Sequence, residues 1–206
     1  MNDQAMKRKM FLPILLGTVR EGRQSEKVAR LLLERARAHP EIETRLFDPR
    51  DMKFPMTDEG QGLKKLNPEW RDAIVRADGL IIVTPEYNHG YPGSLKMALD
   101  ILLKEYIHKA VGLVGVSRGA WGGTRVIERL VGVVRELGLA VTFTDLHFPQ
   151  VESKFDGEGR LLDESMNPRI DAFFTELLWM ARTLALGREN VRSKYHPEPT
   201  VPVAGS

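Results

Sequence analysis

Cysteine is absent from the 206-residue chain. That excludes thiol nucleophiles, cysteine-held iron–sulfur clusters and disulfides, and it agrees with a reducing compartment. Long apolar runs are absent as well. The run nearest the amino terminus, MFLPILLG, follows a polar, basic MNDQAMKRK and is too short for a membrane span or a secretion signal. The expectation is a soluble, cytoplasmic protein with no membrane partner. Neither sign of charge dominates: 30 Lys and Arg against 28 Asp and Glu leave a formal +2. No basic stripe is interleaved with aromatics, so no nucleic acid is expected as a partner. Neither GxGxxG nor GxxxxGK[ST] occurs, which argues against a dinucleotide cradle and a P-loop.

What the chain does have is 42% hydrophobic residues, enough for a core without staples. Short aliphatic runs alternate with stretches of helical spacing. Strands are predicted at Met10–Gly17, Glu41–Asp48, Gly79–Thr84, Ala110–Ser117 and Leu139–Phe148. Helices are predicted at Ser25–Ala38 with Ser25 as cap, at Pro68–Asp78, from Ser94 to about Leu103, at Thr124–Leu137 and at Pro168–Leu186. Continuous apolar strands separated by helices predict an α/β fold, a doubly wound five-stranded parallel sheet with helices on both faces. Pro13 is awkward in a central strand and is tolerable nearer its start. Residues 1–9 are expected to be a flexible segment, 10–187 the domain, and 188–206 an extended or disordered tail.

Ligands of such sheets bind beyond the carboxyl ends of the strands. Three loops lie there. GTVREGRQS, Gly17 to Ser25, offers hydroxyls, an amide, Arg20 and Arg23 at the start of a helix, where free N–H groups and the helix dipole suit a phosphate. A solvated turn with Ser25 merely capping explains it equally well. VTPEYNHGYPGSLKMALD, Val83 to Asp100, is a shaped loop in which Tyr87, Asn88, His89 and Tyr91 could underlie a flat ring, or only cover the sheet edge. His89 has neither a second His nor a carboxylate at ligand spacing, so no metal site is expected. SRGAWGGTR, Ser117 to Arg125, lets backbone approach a ligand closely and carries Trp121; it also reads as a glycine-rich start to a helix. Together the loops supply a phosphate end, an aromatic middle and a glycine-rich wall, which suits flavin mononucleotide, FMN.

The segments LGTVREGRQSEKVA, PEYNHGYPGSLKMALD and GVSRGAWGG resemble the NADPH-dependent FMN reductase family of flavodoxin-like proteins, with its quinone, azo-dye and chromate reductases. The likeness runs from the first strand to about Phe148. Thr18 stands where the family usually has Ser, and Met97 where Asn is common. The resemblance implies a flavodoxin-like fold and FMN phosphate held by Thr18, Arg20, Gln24 and Ser25. It places Pro85, Glu86, Tyr87, Asn88, His89 and Gly90 along the flavin ring, and Ser117, Gly119, Trp121 and Gly122 at its other side or rim. It further implies ping-pong transfer of reducing equivalents from NADPH or NADH to a quinone, flavin or similar small acceptor, and a homodimer or dimer of dimers. The cofactor would carry the chemistry, with no catalytic side chain. Arg20 and Arg23 are then also candidates to attract the phosphates of the nicotinamide nucleotide.

Rival readings remain. A flavodoxin-type electron carrier usually has a strongly acidic surface, which this composition lacks. An FMN-binding redox sensor differs only in turnover. A phosphoryl-transfer domain lacks its loop lysine here.

Overall fold

The computed structural model describes residues 8–55 and 60–195, with only the backbone at 60 and 61. Most of the amino-terminal segment and the last part of the tail therefore lie outside the described residues. The chain runs β1 (Met10–Phe11), β2 (Ile14–Leu16), α1 (Ser25–Ala38), β3 (Ile42–Glu43), β4 (Leu46–Phe47), α2 (Pro68–Arg76) and β5 (Gly79–Pro85). It continues through α3 (Gly93–Asp100), β6 (Lys109–Val116), α4 (Thr124–Glu136), β7 (Leu139–Val141), β8 (Leu146–Phe148) and α5 (Asn167–Asn190).

Among the described residues, all pairings between these strands are parallel. Eight short strands form five tracks, because three tracks are interrupted. β1 and β2 keep one register against β3 and β4, from Met10↔Ile42 to Leu15↔Phe47. The interruption is Pro13, which sits in the middle of a central track rather than at its start. Its missing N–H falls on the side where β5 has only just begun at Gly79, so one rung is lost while its carbonyl still accepts from Ile81 at 2.9 Å. The fifth track is broken by a bulge. Between Val111↔Val141 and Val114↔Leu146, β6 advances three residues and the edge strand five. The excess leaves Phe143 84% exposed and blunts the edge against pairing with another chain.

Side chains alternate between the two faces of the sheet. Ile14, Leu16, Ile81, Val83 and Val114 pack under α1 and α5. Leu15, Leu80, Ile82, Val111 and Leu113 pack under α2, α3 and α4. The track order is second, first, third, fourth, fifth. From the first track the chain moves outward one way and then returns to the other side, so the loops after β2 and β5 diverge and open a crevice.

Several predicted boundaries move. The domain edge expected at 187 falls inside α5, which runs to Asn190 because Arg188 reaches the buried Asp78 at 2.9 Å and the His108 carbonyl at 2.7 Å. Arg8, expected in a flexible segment, makes two bonds to the same carboxylate at 2.6 and 2.7 Å. α3 starts at Gly93, with Pro92 at its cap position, and ends at Asp100 rather than near Leu103.

Candidate active site

The three loops enclose a cleft of about 440 Å³ at the carboxyl edge of the sheet. The first loop leaves β2 at Gly17, whose N–H bonds the Val83 carbonyl at 2.8 Å. Thr18 is buried beneath the loop, where its hydroxyl accepts from the Arg20 N–H at 3.2 Å and meets the Tyr87 hydroxyl at 3.1 Å. Arg23 turns inward. It donates to the Thr18 carbonyl at 2.6 Å, to both oxygens of Asp48 and to Glu26 at 3.1 Å, and it is 8% exposed. Burial alone would push the Asp48 carboxyl up, but hydrogen bonds from Arg23 and the Arg50 amide outweigh it and hold the group below the usual range. Arg50 adds bonds to the carbonyls of Val19 and Arg20, at 3.0 and 2.7 Å. The turn after β4 thus clamps the first loop from below.

The end of that loop is left open. Gln24, not Ser25, holds the cap position of α1, and its side chain makes no capping bond. Ser25 is the first helical residue, and its buried hydroxyl lacks a hydrogen-bond partner, as does the amide oxygen of Gln24. Buried polar atoms are rarely left so. An uncapped helix start beside an orphaned hydroxyl fits an anion.

The second loop keeps its main chain largely engaged. The Glu86 N–H bonds the Val116 carbonyl at 3.0 Å, and Tyr87 and Gly90 exchange bonds at 2.9 and 3.0 Å. Between them Asn88 (φ 50°) and His89 (φ 63°) form a two-residue left-handed turn. Such angles are uncommon for residues with a Cβ and are stored where the surroundings over-determine them. Tyr91 packs against the core and not toward the cleft. One carboxylate oxygen of Glu86 is buried without a partner, while the other lies 3.5 Å from Arg125.

The third loop is tied at both ends. Ser117 N–H bonds the Phe148 carbonyl at 3.1 Å, its hydroxyl donates to Gly119 at 2.9 Å, and Val151 N–H returns to Ser117 at 3.1 Å. Its base rests directly on the sheet. A Cβ at Gly115 would stand 2.6 Å from the Gly122 carbonyl, so the close approach requires glycine there. Trp121 is 65% exposed at the rim, with the Arg125 guanidinium 5.5 Å from its ring centre.

Of the residues singled out from sequence, Arg20, Gln24, Ser25, Pro85, Glu86, Tyr87, Ser117, Gly119 and Trp121 line one cleft. Thr18 supports Tyr87 from below, and Asn88, His89 and Gly90 form the turn beside it without lining it. Gly122 faces His147 and Pro149. Arg23 reaches the cleft wall but is committed to Asp48. Sequence reasoning missed Arg118, Arg125, Val151 and Glu152, which also line the cleft. Arg118 and Arg125 were within the quoted third loop, whereas nothing local marks Val151 or Glu152.

Residues 10–152 match the NADPH-dependent FMN reductase family. The chain belongs to that family. As a member of it, the protein is an FMN-dependent NAD(P)H oxidoreductase. It is 29% identical to a quinone reductase of Pseudomonas putida over 78% of this chain and 88% of that one. It is 30% identical to an FMN-dependent NADPH-azoreductase of Staphylococcus aureus over 80% and 92%. A third relative, an NADH:(hydroxy)cinnamate reductase subunit of Vibrio ruber, is 30% identical over 72% and 78%. The flavoenzyme NAD(P)H:(acceptor) oxidoreductase of Paracoccus denitrificans shares the fold, with a TM-score of 0.67 at 21% identity over 83% of this chain and 98% of that one. The cleft has the features an FMN phosphate and ring would need: an orphaned buried hydroxyl beside an uncapped helix start, and an aromatic and a glycine-rich wall on either side of the remaining space.

Proposed function

We propose that Thr18, Arg20, Gln24 and Ser25 hold the FMN phosphate, Thr18 through its placement of the loop. Pro85, Glu86 and Tyr87 border the ring, braced by the adjoining turn of Asn88, His89 and Gly90, and Ser117, Gly119 and Trp121 form the opposite wall, with Gly122 behind it. When bound, FMN supplies the two-electron redox chemistry, so no side chain has to act as acid or base. The chain binds, orients and shields: α1 offers its unpaired N–H groups, the clamp of Arg23 and Arg50 fixes the first loop, and Gly115 lets the third loop rest close to the sheet. One open side admits one substrate at a time, NAD(P)H first and the acceptor after it has left, which is ping-pong turnover.

The acceptor proposed is a small planar quinone, with flavins and azo compounds admitted by the same open side. The quinone reductase and azoreductase relatives support this class. The single observation that carries the reading is the buried, partnerless Ser25 hydroxyl at an uncapped helix start. The protein is further proposed to act in the cytoplasm as a homodimer or dimer of dimers, a second copy covering the exposed Trp121, Val131 and Phe143. Among the described residues no helix is long and apolar enough to cross a membrane.

The test is direct. Purified protein should be yellow, or should quench the fluorescence of added FMN at a one-to-one end point. NADPH should be oxidised rapidly with 1,4-benzoquinone, and initial rates with both substrates varied should give parallel double-reciprocal lines. Tight FMN with no turnover would make the protein a carrier or sensor instead, and intersecting lines would remove the ping-pong order.

A further inference from the structure

The cleft is bordered by several arginines in different states, and the differences separate their roles. Arg23 is fully engaged with Asp48, Glu26 and the Thr18 carbonyl. Arg20 lies over the Tyr87 ring at 5.5 Å, on the loop assigned above to the flavin phosphate. Arg125 sits between Trp121 and Glu86, whose side chain is only 11% exposed. Drawing Arg125 away would strand a mostly buried carboxylate, which is costly. Arg118 differs from all of these. It extends from the third loop at the end of β6, its side chain is 77% exposed, and its carboxylate partner among the described residues is the 50% exposed Glu152. Both Arg118 Nε and Nη2 donate to one oxygen of Glu152, at 2.9 and 2.6 Å. Both residues line the cleft, and the hydrogen bond from Arg118 holds the Glu152 carboxyl below its usual range.

We infer that Arg118 reads the 2′-phosphate of NADPH, with Glu152 as the internal anion that the phosphate displaces, so that this pair sets the preference for NADPH over NADH. The inference rests on the flavin-site reading above. An exposed ion pair contributes little to stability, so exchanging the carboxylate for a phosphate costs little. A guanidinium offers parallel N–H donors that match phosphate oxygens, and displacement of Glu152 frees both Arg118 donors for the dianion. NADH lacks that phosphate and leaves the pair closed.

The experiment uses FMN-loaded protein. The kcat/KM for NADPH and NADH is measured for wild type, Arg118→Gln, Arg118→Lys and Glu152→Gln, and binding of 2′,5′-ADP and 5′-ADP is followed by calorimetry. Wild type should prefer NADPH. Arg118→Gln should lower the NADPH/NADH ratio about 10-fold, the size of one lost charged hydrogen-bonding contact, with the NADH value changing less than about twofold. It should weaken 2′,5′-ADP by a similar factor and leave 5′-ADP unchanged, while Arg118→Lys recovers part of the loss. Glu152→Gln should raise the ratio about two- to threefold, as expected for removing a weak competing pair. The inference is overturned if wild type does not prefer NADPH, if Arg118→Gln changes both nucleotides equally or neither, or if Glu152→Gln lowers the ratio. A wild-type protein that binds no FMN would instead sink the flavin-site reading, and calorimetry with 2′,5′-ADP on the unloaded protein would still report on Arg118.

Discussion

Replacing Arg23 by Ala separates two accounts of the first loop. From sequence, Arg23 is a candidate to attract the phosphates of NADPH, and its loss should weaken the apparent affinity for that nucleotide. In the structure it is a strut. Its guanidinium is committed to Asp48, Glu26 and the Thr18 carbonyl, and truncation leaves the Asp48 carboxylate, 22% exposed, without its main partner. Breaking a buried pair by removing one partner costs about 3–5 kcal/mol. Here the residual solvent access of Asp48 and its bond from the Arg50 amide at 3.0 Å reduce that to about 2–3 kcal/mol. In a chain of this size each kcal/mol moves Tm by about 2–4 °C, so the apoprotein should melt about 5–10 °C lower.

The released loop should also bind FMN more weakly. The Thr18 carbonyl loses its charged donor, and the backbone at the start of α1 loses its fixed direction, so a rise of about 10-fold in Kd is expected. The NADPH/NADH ratio should not change, because Arg23 does not present its charge to an incoming nucleotide. Thermal melts of the apoprotein, fluorescence titration with FMN and the ratio of kcat/KM values measure the three effects. A melting point shifted by less than about 2 °C, together with a selective loss of NADPH affinity, would refute the strut and restore the role read from sequence.

Ser25→Ala should show the opposite pattern. Its buried hydroxyl lacks a partner in the unliganded chain, so the apoprotein should melt at the same temperature or slightly higher, while FMN binds about 5- to 15-fold more weakly for want of one hydrogen bond. Gly115→Ala places a Cβ 2.6 Å from the Gly122 carbonyl and must displace the third loop. About 1–3 kcal/mol of overpacking is expected in denaturant melts, with weaker FMN binding; unchanged flavin affinity would show that this loop does not touch the cofactor. Asp48 makes stability depend on acid. Its folded pKa is held below its unfolded value of about 3.9, so its contribution is complete above that pH and drains away as pH falls further. Asp48→Asn should start less stable at pH 7 yet lose less as pH falls below about 4; an equally steep acid loss in both would remove Asp48 as the cause.

Much of the fold was legible because burial on both faces writes a continuous apolar run. GLIIVT and AVGLVGVS read as interior parallel strands, and both are buried as far as Thr84 and Val116. What local reading could not supply depends on neighbours distant in sequence. VTFTD has the composition of a strand, but the bulge at Phe143 follows from the register against β6. The extension of α5 past Leu186 depends on Asp78, which Arg188 meets across 110 residues. Pro13 was legible as an irregularity but not as a central one, since its cost depends on where β5 begins.

The site divides in the same way. The loops could be named because glycine, proline and hydroxyl residues after a buried strand constrain the backbone locally, and the cleft forms from those loops. The roles of the arginines were not legible, because an arginine's role is fixed by the acceptor it finds. Arg23, Arg118 and Arg125 find theirs 25, 34 and 39 residues away, at Asp48, Glu152 and Glu86. The burial of each acceptor then ranks the cations. The most enclosed arginine, Arg23, holds the loop in place, and Arg125 is kept near the wall by a mostly buried Glu86. Arg118, paired to an exposed carboxylate, is the cation a second nucleotide can take at least cost, since water already weakens the bond it would replace.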